Sequence, residues 1–408
     1  MGRYLHLFET EGEYGAARES DYEEPWVSYT EETEKVNYNK TEDEKLIETP
    51  LTFEIIDDGI IYWKASGTNI TKTIEYKIND GEWTSNGISA LSITVEAGNT
   101  VQFRGNNTQY ATSSQYNSFS GSTAQFNVKG NIMSLINSSD FSTLTTLPSS
   151  CTFKYLFYNC TGLTDASKLL LPATKIAEDC YMFMFQGCTS LTKAPSILPA
   201  TKLASNCYNC MFYGCTSLTT APELPATTLK SSCYEHMFDG CTSLTTAPEL
   251  PATNLSGASG CYRYMFQGCT SLTTAPELPA TNLSGASSCY SYMFYGCTSL
   301  TTAPSILPAT SLVNYCYSNM FRNCTSLTTA PELPAATLAQ ACYREMFYGC
   351  SNLKYIKCLA TNISAANCTR DWTRNVASTG TFVKNPSMTS WTTNTWGIPA
   401  NWTVQDAA

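Results

Sequence analysis

Nineteen cysteines and two histidines, His6 and His236, are the side chains of this 408-residue chain best suited to covalent or metal chemistry. Two histidines leave little room for imidazole catalysis or a His-rich metal site. The cysteines recur in pairs. The first member falls at 180, 207, 233, 261, 289, 316 and 342, and the second at 188, 215, 241, 269, 297, 324 and 350. Many thiols in an exported chain suggest disulfides, and clustered thiols suggest zinc. Here the count is odd, and the CxxC pair Cys207/Cys210 has no matching second pair. On a helix the two thiols of one pair would lie about 12 Å apart, too far for a bridge. Bridges between neighbouring repeats stay open. The cysteines read best as small buried hydrophobes, and no metal or cofactor is expected.

Catalysis finds no support either. The sequence has no Gly-x-Ser-x-Gly elbow, no His-Glu-x-x-His, no phosphate loop and no dinucleotide fingerprint. Asp57-Asp58 reads as a turn, and the Asn-x-Ser/Thr triplets at Asn69, Asn137 and Asn254 as chance in an Asn/Ser/Thr-rich chain. The chain is expected not to be an enzyme.

The cysteines belong to a repeat that must position everything around them. The unit reads Cys-Tyr-x-x-Met-Phe-x-Gly-Cys-Thr-Ser-Leu-Thr-Thr-Ala-Pro-Glu-Leu-Pro-Ala-Thr-x-Leu, with a degenerate leading copy at Cys151–Cys160 and a trailing half-copy that keeps Cys368. A period of 26 to 28 residues signals a solenoid. The extra residues fall at Ser196-Ile197 and Ser305-Ile306 and near Gly257 and Gly285. Insertions collect in loops, so these points mark corners of each coil. With the first Cys as position 0, the apolar Cys, Tyr, Met, Phe and Cys stand at 0, 1, 4, 5 and 8. At about 100° per residue they share one face, which predicts a two-turn helix ended by the Gly at position 7. The Leu-Thr-Thr-Ala-Pro segment predicts a short strand limited by proline. Coils joined by such strands stack about 4.8 Å apart.

Positions 2, 3 and 6 face outward on this reading, and there the copies differ. Tyr213, Arg263, Tyr264, Tyr292, Tyr295, Arg322, Arg344 and Tyr348 form a candidate partner-binding face, with a composition like that of binding paratopes. A nearly invariant stripe (Thr219-Thr220 with Glu223, Thr245-Thr246 with Glu249, Thr273-Thr274 with Glu277) offers a second surface, suited to a periodic ligand such as a glycan.

Upstream, residues 51–130 alternate apolar and polar, as in Phe53/Ile55, Ile61/Trp63 and Val101/Phe103, with turn signals such as Asn79-Asp80-Gly81. This predicts an all-β, immunoglobulin-like antiparallel sandwich; Trp63 and Trp83 could give it a sugar-stacking platform. Residues 1–50 hold 14 acidic and 5 basic side chains, whereas 51–408 hold 20 and 19. An acidic, aromatic head on a near-neutral body reads as an interaction segment. No basic cluster suggests nucleic acid. No apolar run predicts a membrane span, and the first residues lack the pattern of a secretory signal. Residues 381–408, with Trp391, Trp396 and Trp402, break the period and read as a cap.

The Met-Phe-x-Gly-Cys-Thr-Ser-Leu run, as at residues 211–218, resembles the corner of BspA-type leucine-rich repeats, over about residues 131–408. That resemblance implies an α/β leucine-rich-repeat solenoid, assigned here to residues 131–380. The segments Glu24-Pro25-Trp26-Val27-Ser28-Tyr29 and Val36-Asn37-Tyr38-Asn39-Lys40 resemble N-terminal anchors of head-fibre or decoration proteins of crAss-like phages. They imply a capsid anchor at Trp26, Tyr29 and Tyr38. The implied protein is a homo-oligomeric virion-surface protein, assembled in the host bacterial cytoplasm and docked on capsid or other virion proteins. It would display its repeats toward bacterial-surface or mucin glycans, with no nucleic-acid or membrane partner. A bacterial cell-surface adhesin and a phage tail receptor-binding protein are the alternatives.

Overall fold

A computed structural model describes residues 41–408 apart from Thr68, Asn69 and Pro148. The proposed anchor residues Trp26, Tyr29 and Tyr38 lie outside the described residues, and so does Asn69. Residues 43–408 form one compact unit.

A short helix, α1 (Glu42–Glu48), leads into β1 (Leu51–Asp57), β2 (Gly59–Ala65), β3 (Glu75–Ile78), β4 (Thr84–Ser85), β5 (Leu91–Val95), β6 (Thr100–Arg104), β7 (Asn117–Ser118) and β8 (Gln125–Asn131). The alternating pattern forms these strands because every second side chain enters the core. Phe53, Val101, Phe103, Phe126 and Val128 from one sheet and Ile61, Trp63, Ile93 and Val95 from the other are all buried. Strand order differs from the immunoglobulin arrangement, in which the first two strands are neighbours. Here β1 lies between β6 and β8, pairing Phe53 with Val101 and with Val128. β2 lies in a second sheet between β5 and β7.

The larger sheet does not stop at β8. Its last strand is β9 (Leu163–Leu170), the strand of the first repeat coil, which pairs parallel to β8 with Phe126 opposite Leu163 and Gly130 opposite Leu169. No linker therefore separates sandwich from repeats. The sheet edge is the template on which the first coil is laid, and it leaves no open edge at that end. Gly162 makes the approach possible, since a Cβ there would sit 2.1 Å from the Ala124 carbonyl oxygen.

The helix expected in each repeat is absent. Residues 152–160, 180–188, 207–215, 233–241, 261–269, 289–297, 316–324, 342–350 and 368–376, here coils one to nine, are chains of tight turns. Every fourth residue has positive φ. In coil two these are Asp179 (56°), Phe183 (60°) and Gly187 (72°). Within the coil, Met182, Met184, Gln186 and Cys188 donate their N–H to the carbonyl three residues back. The intervening N–H groups of Tyr181, Phe183, Phe185 and Gly187 donate to Cys207, Asn209, Met211 and Tyr213 of the next coil. All these backbone donors are satisfied without a helix, half of them by the neighbouring coil. The true period is four. It places positions 0, 1, 4, 5 and 8 inside, the set that a 3.6-residue period selects over so short a run. The Gly at position 7 ends nothing; it is the third left-handed residue of the series.

Position 5 stacks into a continuous buried ladder: Phe157, Phe185, Phe212, Phe238, Phe266, Phe294, Phe321 and Phe347, with successive ring centroids 5.2 to 5.9 Å apart. Position 1 forms a second, from Phe153 through Tyr181, Tyr208, Tyr234, Tyr262, Tyr290 and Tyr317 to Tyr343. At the sandwich end Phe157 meets Phe53 and Phe119. At the other end both ladders close on Trp372, which stacks on Trp391 at 5.7 Å. The three-stranded parallel sheet of β10 (Tyr355–Cys358), β11 (Thr381–Lys384) and β12 (Thr403–Asp406) finishes the stack.

The position-8 cysteines have a definite task. From Cys188 to Cys350 each thiol donates to the position-5 carbonyl of the preceding coil, as Cys269 does to Phe238 (3.2 Å) and Cys297 to Phe266 (3.0 Å). All 19 cysteines are free and buried. Under native conditions a thiol reagent is expected to find only Cys151 and Cys210, at 8% and 9% exposure. After denaturation without reductant it should titrate 19 thiols per chain; a shortfall of two or more would reveal a bridge.

Candidate functional site

Because the turns repeat every four residues, positions 2, 3 and 6 of successive coils line up as rows on one outer face. This face holds the eight residues singled out by sequence. Tyr213, at 40% exposure, meets the edge of His236 at 6.2 Å. His236 stacks on Tyr264 at 4.4 Å, and Tyr264 on Tyr292 at 4.6 Å. Burial, and then the neighbouring Tyr292, push the Tyr264 phenol above its ordinary value. Tyr292 in turn reaches Tyr295 at 5.9 Å. The guanidinium of Arg322 lies over Tyr348 at 4.3 Å and over Tyr295 at 5.9 Å. Arg263 pairs with Glu235, its Nε 2.7 Å from the carboxylate. Arg322 and Arg344 share one carboxylate, Glu345. The eight residues thus form one connected strip across coils three to eight.

The strip is rigid for a reason visible in the backbone. Tyr264 and Tyr292 sit at φ 58° and 59°. This left-handed conformation costs a non-glycine residue roughly 1–2 kcal/mol. The inter-coil bonds Tyr264 N–H to Ser291 (3.0 Å) and Tyr292 N–H to Ser318 (2.9 Å) hold it there. The rings are fixed before any partner arrives, which lowers the ordering cost of binding.

Sequence reasoning put His236 and Asp239 at outward positions without giving them a role. His236 is held by Asp239, with Nδ1 2.7 Å from the carboxylate, and bridges Tyr213 to Tyr264. Other members of this face it missed. Coil nine adds Arg370 and Arg374, and Arg374 lies over Tyr348 at 5.6 Å. Arg374 stands six residues after Cys368, as Tyr348 stands six after Cys342; numbering the trailing half-copy would have found it. At the other end Tyr155 and Phe183 stack at 4.6 Å as the first pair of the position-3 row.

The second surface raised by sequence has a different geometry. Where a Ser-Ile coil adjoins a Glu-Leu coil, the backbones bond: Leu198 N–H to Glu223 (3.1 Å), Glu223 N–H to Ser196 (2.9 Å), Leu307 N–H to Glu332 (3.0 Å). Where two Glu-Leu coils adjoin, among the described residues no backbone bond joins Glu223 to Glu249 or Glu249 to Glu277. The flanking prolines have no N–H to offer. Two clefts of about 570 and 500 Å³ open there, sharing Glu249 and Pro251. The proposed tryptophan platform does not form. Trp63 is fully buried, with its indole N–H donating to Lys72 at 2.9 Å. One face of Trp83 is covered by Arg104 at 4.1 Å.

Among the described residues no three His, Cys, Asp or Glu side chains converge on a metal-sized site, and no helix is long and apolar enough to cross a membrane.

A family model described as the BspA type leucine rich repeat region matches six copies over residues 152–276 and 256–369, more than half of the chain. No curated protein matches. Among solved structures, the chain is similar to a leucine-rich repeat protein from Bacteroides ovatus, at 14% identity over 70% of this chain and 96% of that one, with a TM-score of 0.16.

Proposed function

Since the chain belongs to the BspA-type leucine-rich repeat family, we propose that it is a non-enzymatic surface-binding protein of the adhesion type, and that the outward turn face is its contact surface. The observation that carries the reading is the pre-stacked strip from Tyr213 to Tyr348. Its members are large, partly exposed and held in place by neighbouring coils, whereas the buried positions repeat almost unchanged. Stacked tyrosines and paired arginines are the side chains that carry most binding energy at interfaces. The expected partners are bacterial-surface or mucin glycans.

The test is retention of the labelled full chain on a mucin coat and on intact bacteria. Wild type should be retained on at least one. Tyr292→Ala/Tyr295→Ala/Tyr348→Ala should lose roughly tenfold or more, since truncating one hot-spot residue typically removes about 2 kcal/mol. Retention on neither surface, or equal retention of the triple variant, would overturn the assignment. The carrier, a virion or a bacterial cell surface, is a separate matter that rests on residues 1–40. Immunogold labelling with antibody to residues 180–350 reads it directly, as gold on phage particles or gold on bacteria.

A further inference from the structure

Six arginines lie within residues 41–408, and five of them, Arg263, Arg322, Arg344, Arg370 and Arg374, are on the turn face. Four of these fall within coils seven to nine. They are arranged as two rows around two carboxylates. Arg344 and Arg370 occupy position 2 of adjoining coils, and Arg322 and Arg374 occupy position 6 on either side of Tyr348. Glu345 and Asp371 stand between the rows at position 3. Four guanidinium groups against two carboxylates leave a local excess of positive charge on a chain of net charge −10.

Ion pairs use up only part of this guanidinium charge. Arg322 and Arg344 share Glu345. Arg370 approaches Asp371 only at 3.8 Å and keeps 45% of its side chain exposed. Arg374 is exposed, with its guanidinium lying over the face of Tyr348. The ring of Tyr348 thus lies between Arg322 and Arg374 and orients both.

Resting on the surface-binding reading above, we propose that coils seven to nine take an acidic glycan, a linear chain carrying uronate carboxylates or sulfate esters. Guanidinium groups bind such oxyanions bidentately and are weakly hydrated, so little is lost on contact. The rows repeat once per coil, a spacing comparable to one sugar residue, and so match a polymer of regularly placed anions. Tyr295, partly exposed beside Arg322, stands next to them as a partner for a sugar ring or its hydroxyl groups. An extended acidic peptide fits less well. Peptides that add to a sheet edge need unpaired backbone donors, and here the alternate N–H groups of Tyr317, Asn319, Phe321, Tyr343, Glu345, Phe347 and Gly349 already bond the next coil.

The experiment measures binding of the full chain to immobilised chondroitin sulfate, with amylose as neutral probe and polyglutamate as acidic peptide. At about 0.1 M salt, where the Debye length is about 10 Å, the acidic remainder of the molecule is screened from the patch. Wild type should bind chondroitin sulfate and not amylose, and lose most of that binding by about 1 M salt. Arg370→Gln/Arg374→Gln should weaken it about tenfold or more, and Arg370→Lys/Arg374→Lys should fall between. Both pairs are exposed, so the fold is spared. No binding to chondroitin sulfate, or unchanged binding by the Gln variant, would overturn the inference. Equal affinity for polyglutamate would overturn the glycan class in favour of a peptide. Tyrosine-dependent retention on mucin without chondroitin sulfate binding would leave the surface-binding reading intact and sink this one alone.

Discussion

Raising the pH above about 9 is expected to unfold this chain in one steep transition. Sixteen thiols have no exposed surface. Burial pushes them up, those of Cys188, Cys233, Cys289, Cys297, Cys350 and Cys358 to about 12. In the unfolded chain the same thiols ionise near 8.5. Below that pH both states are protonated and the thiols leave stability unchanged with pH. Above it the unfolded state binds fewer protons, so stability falls as pH rises. The loss is roughly 1 kcal/mol per thiol per pH unit. Summed over sixteen thiols it matches or exceeds a typical total stability of about 5–15 kcal/mol within about one unit. The buried position-1 tyrosines add to it, since burial raises Tyr208, Tyr234 and Tyr262 as well. Tyrosine fluorescence and thiolate absorbance, followed together, should change at the same pH. Thiolate appearing gradually near 8.5 with the fold intact would show that the thiols are reachable and the core assignment is wrong.

Phe266→Ala should cost about 3–5 kcal/mol, the usual loss for a buried phenylalanine whose space the backbone cannot close. Its ring lies 5.6 Å from both Phe238 and Phe294 in the middle of the position-5 ladder. Inter-coil hydrogen bonds pin the backbone on both sides, so collapse into the void is resisted. In a stacked array each coil is supported by its neighbours alone, and the lost contacts fall on one interface pair. Urea unfolding should therefore show a lowered midpoint, with the two halves of the stack beginning to separate. Gln267→Ala, one residue on and facing out, should change stability by less than about 0.5 kcal/mol. A Phe266→Ala loss below about 1 kcal/mol would contradict a continuous packed ladder.

Which side chains face inward was legible in the sequence, and how the backbone puts them there was not. Cys, Tyr, Met, Phe and Cys at 0, 1, 4, 5 and 8 satisfy a period of 3.6 and a period of 4 equally well over nine residues. The distinction lies in the left-handed residues. Gly or Asn at position 7, and Asp, Asn or Gly at position −1 of half the coils, are the types that favour positive φ, and their spacing of eight is two four-residue turns. Tyr264 and Tyr292 at position 3 hid the intermediate member, because tyrosine rarely adopts that conformation. Tertiary bonds from the next coil override the local preference.

The strands of the sandwich were also legible, from alternation at Phe53/Ile55 and Ile61/Trp63. Their order was not, because pairing β1 with both β6 and β8 is a long-range choice that a period of two does not encode. Nor does any local signal say that β8 continues into β9. The outward face was found because exposed positions varied while buried ones repeated. Arg370 and Arg374 escaped because coil nine replaces the Met-Phe pair with Trp372 and Thr373 and so drops out of the pattern.

The turn face and the Pro/Glu clefts between the coils make opposite demands on a bound partner, and side-chain footprinting separates them. Hydroxyl-radical labelling of the full chain, free and on a mucin coat, reads tyrosine and proline oxidation residue by residue. Protection is expected at Tyr213, Tyr292, Tyr295 and Tyr348, with Pro248, Pro251 and Pro276 labelled equally in both states. Protection of those prolines with the four tyrosines unchanged would place the partner in the clefts and contradict the turn face as the contact surface.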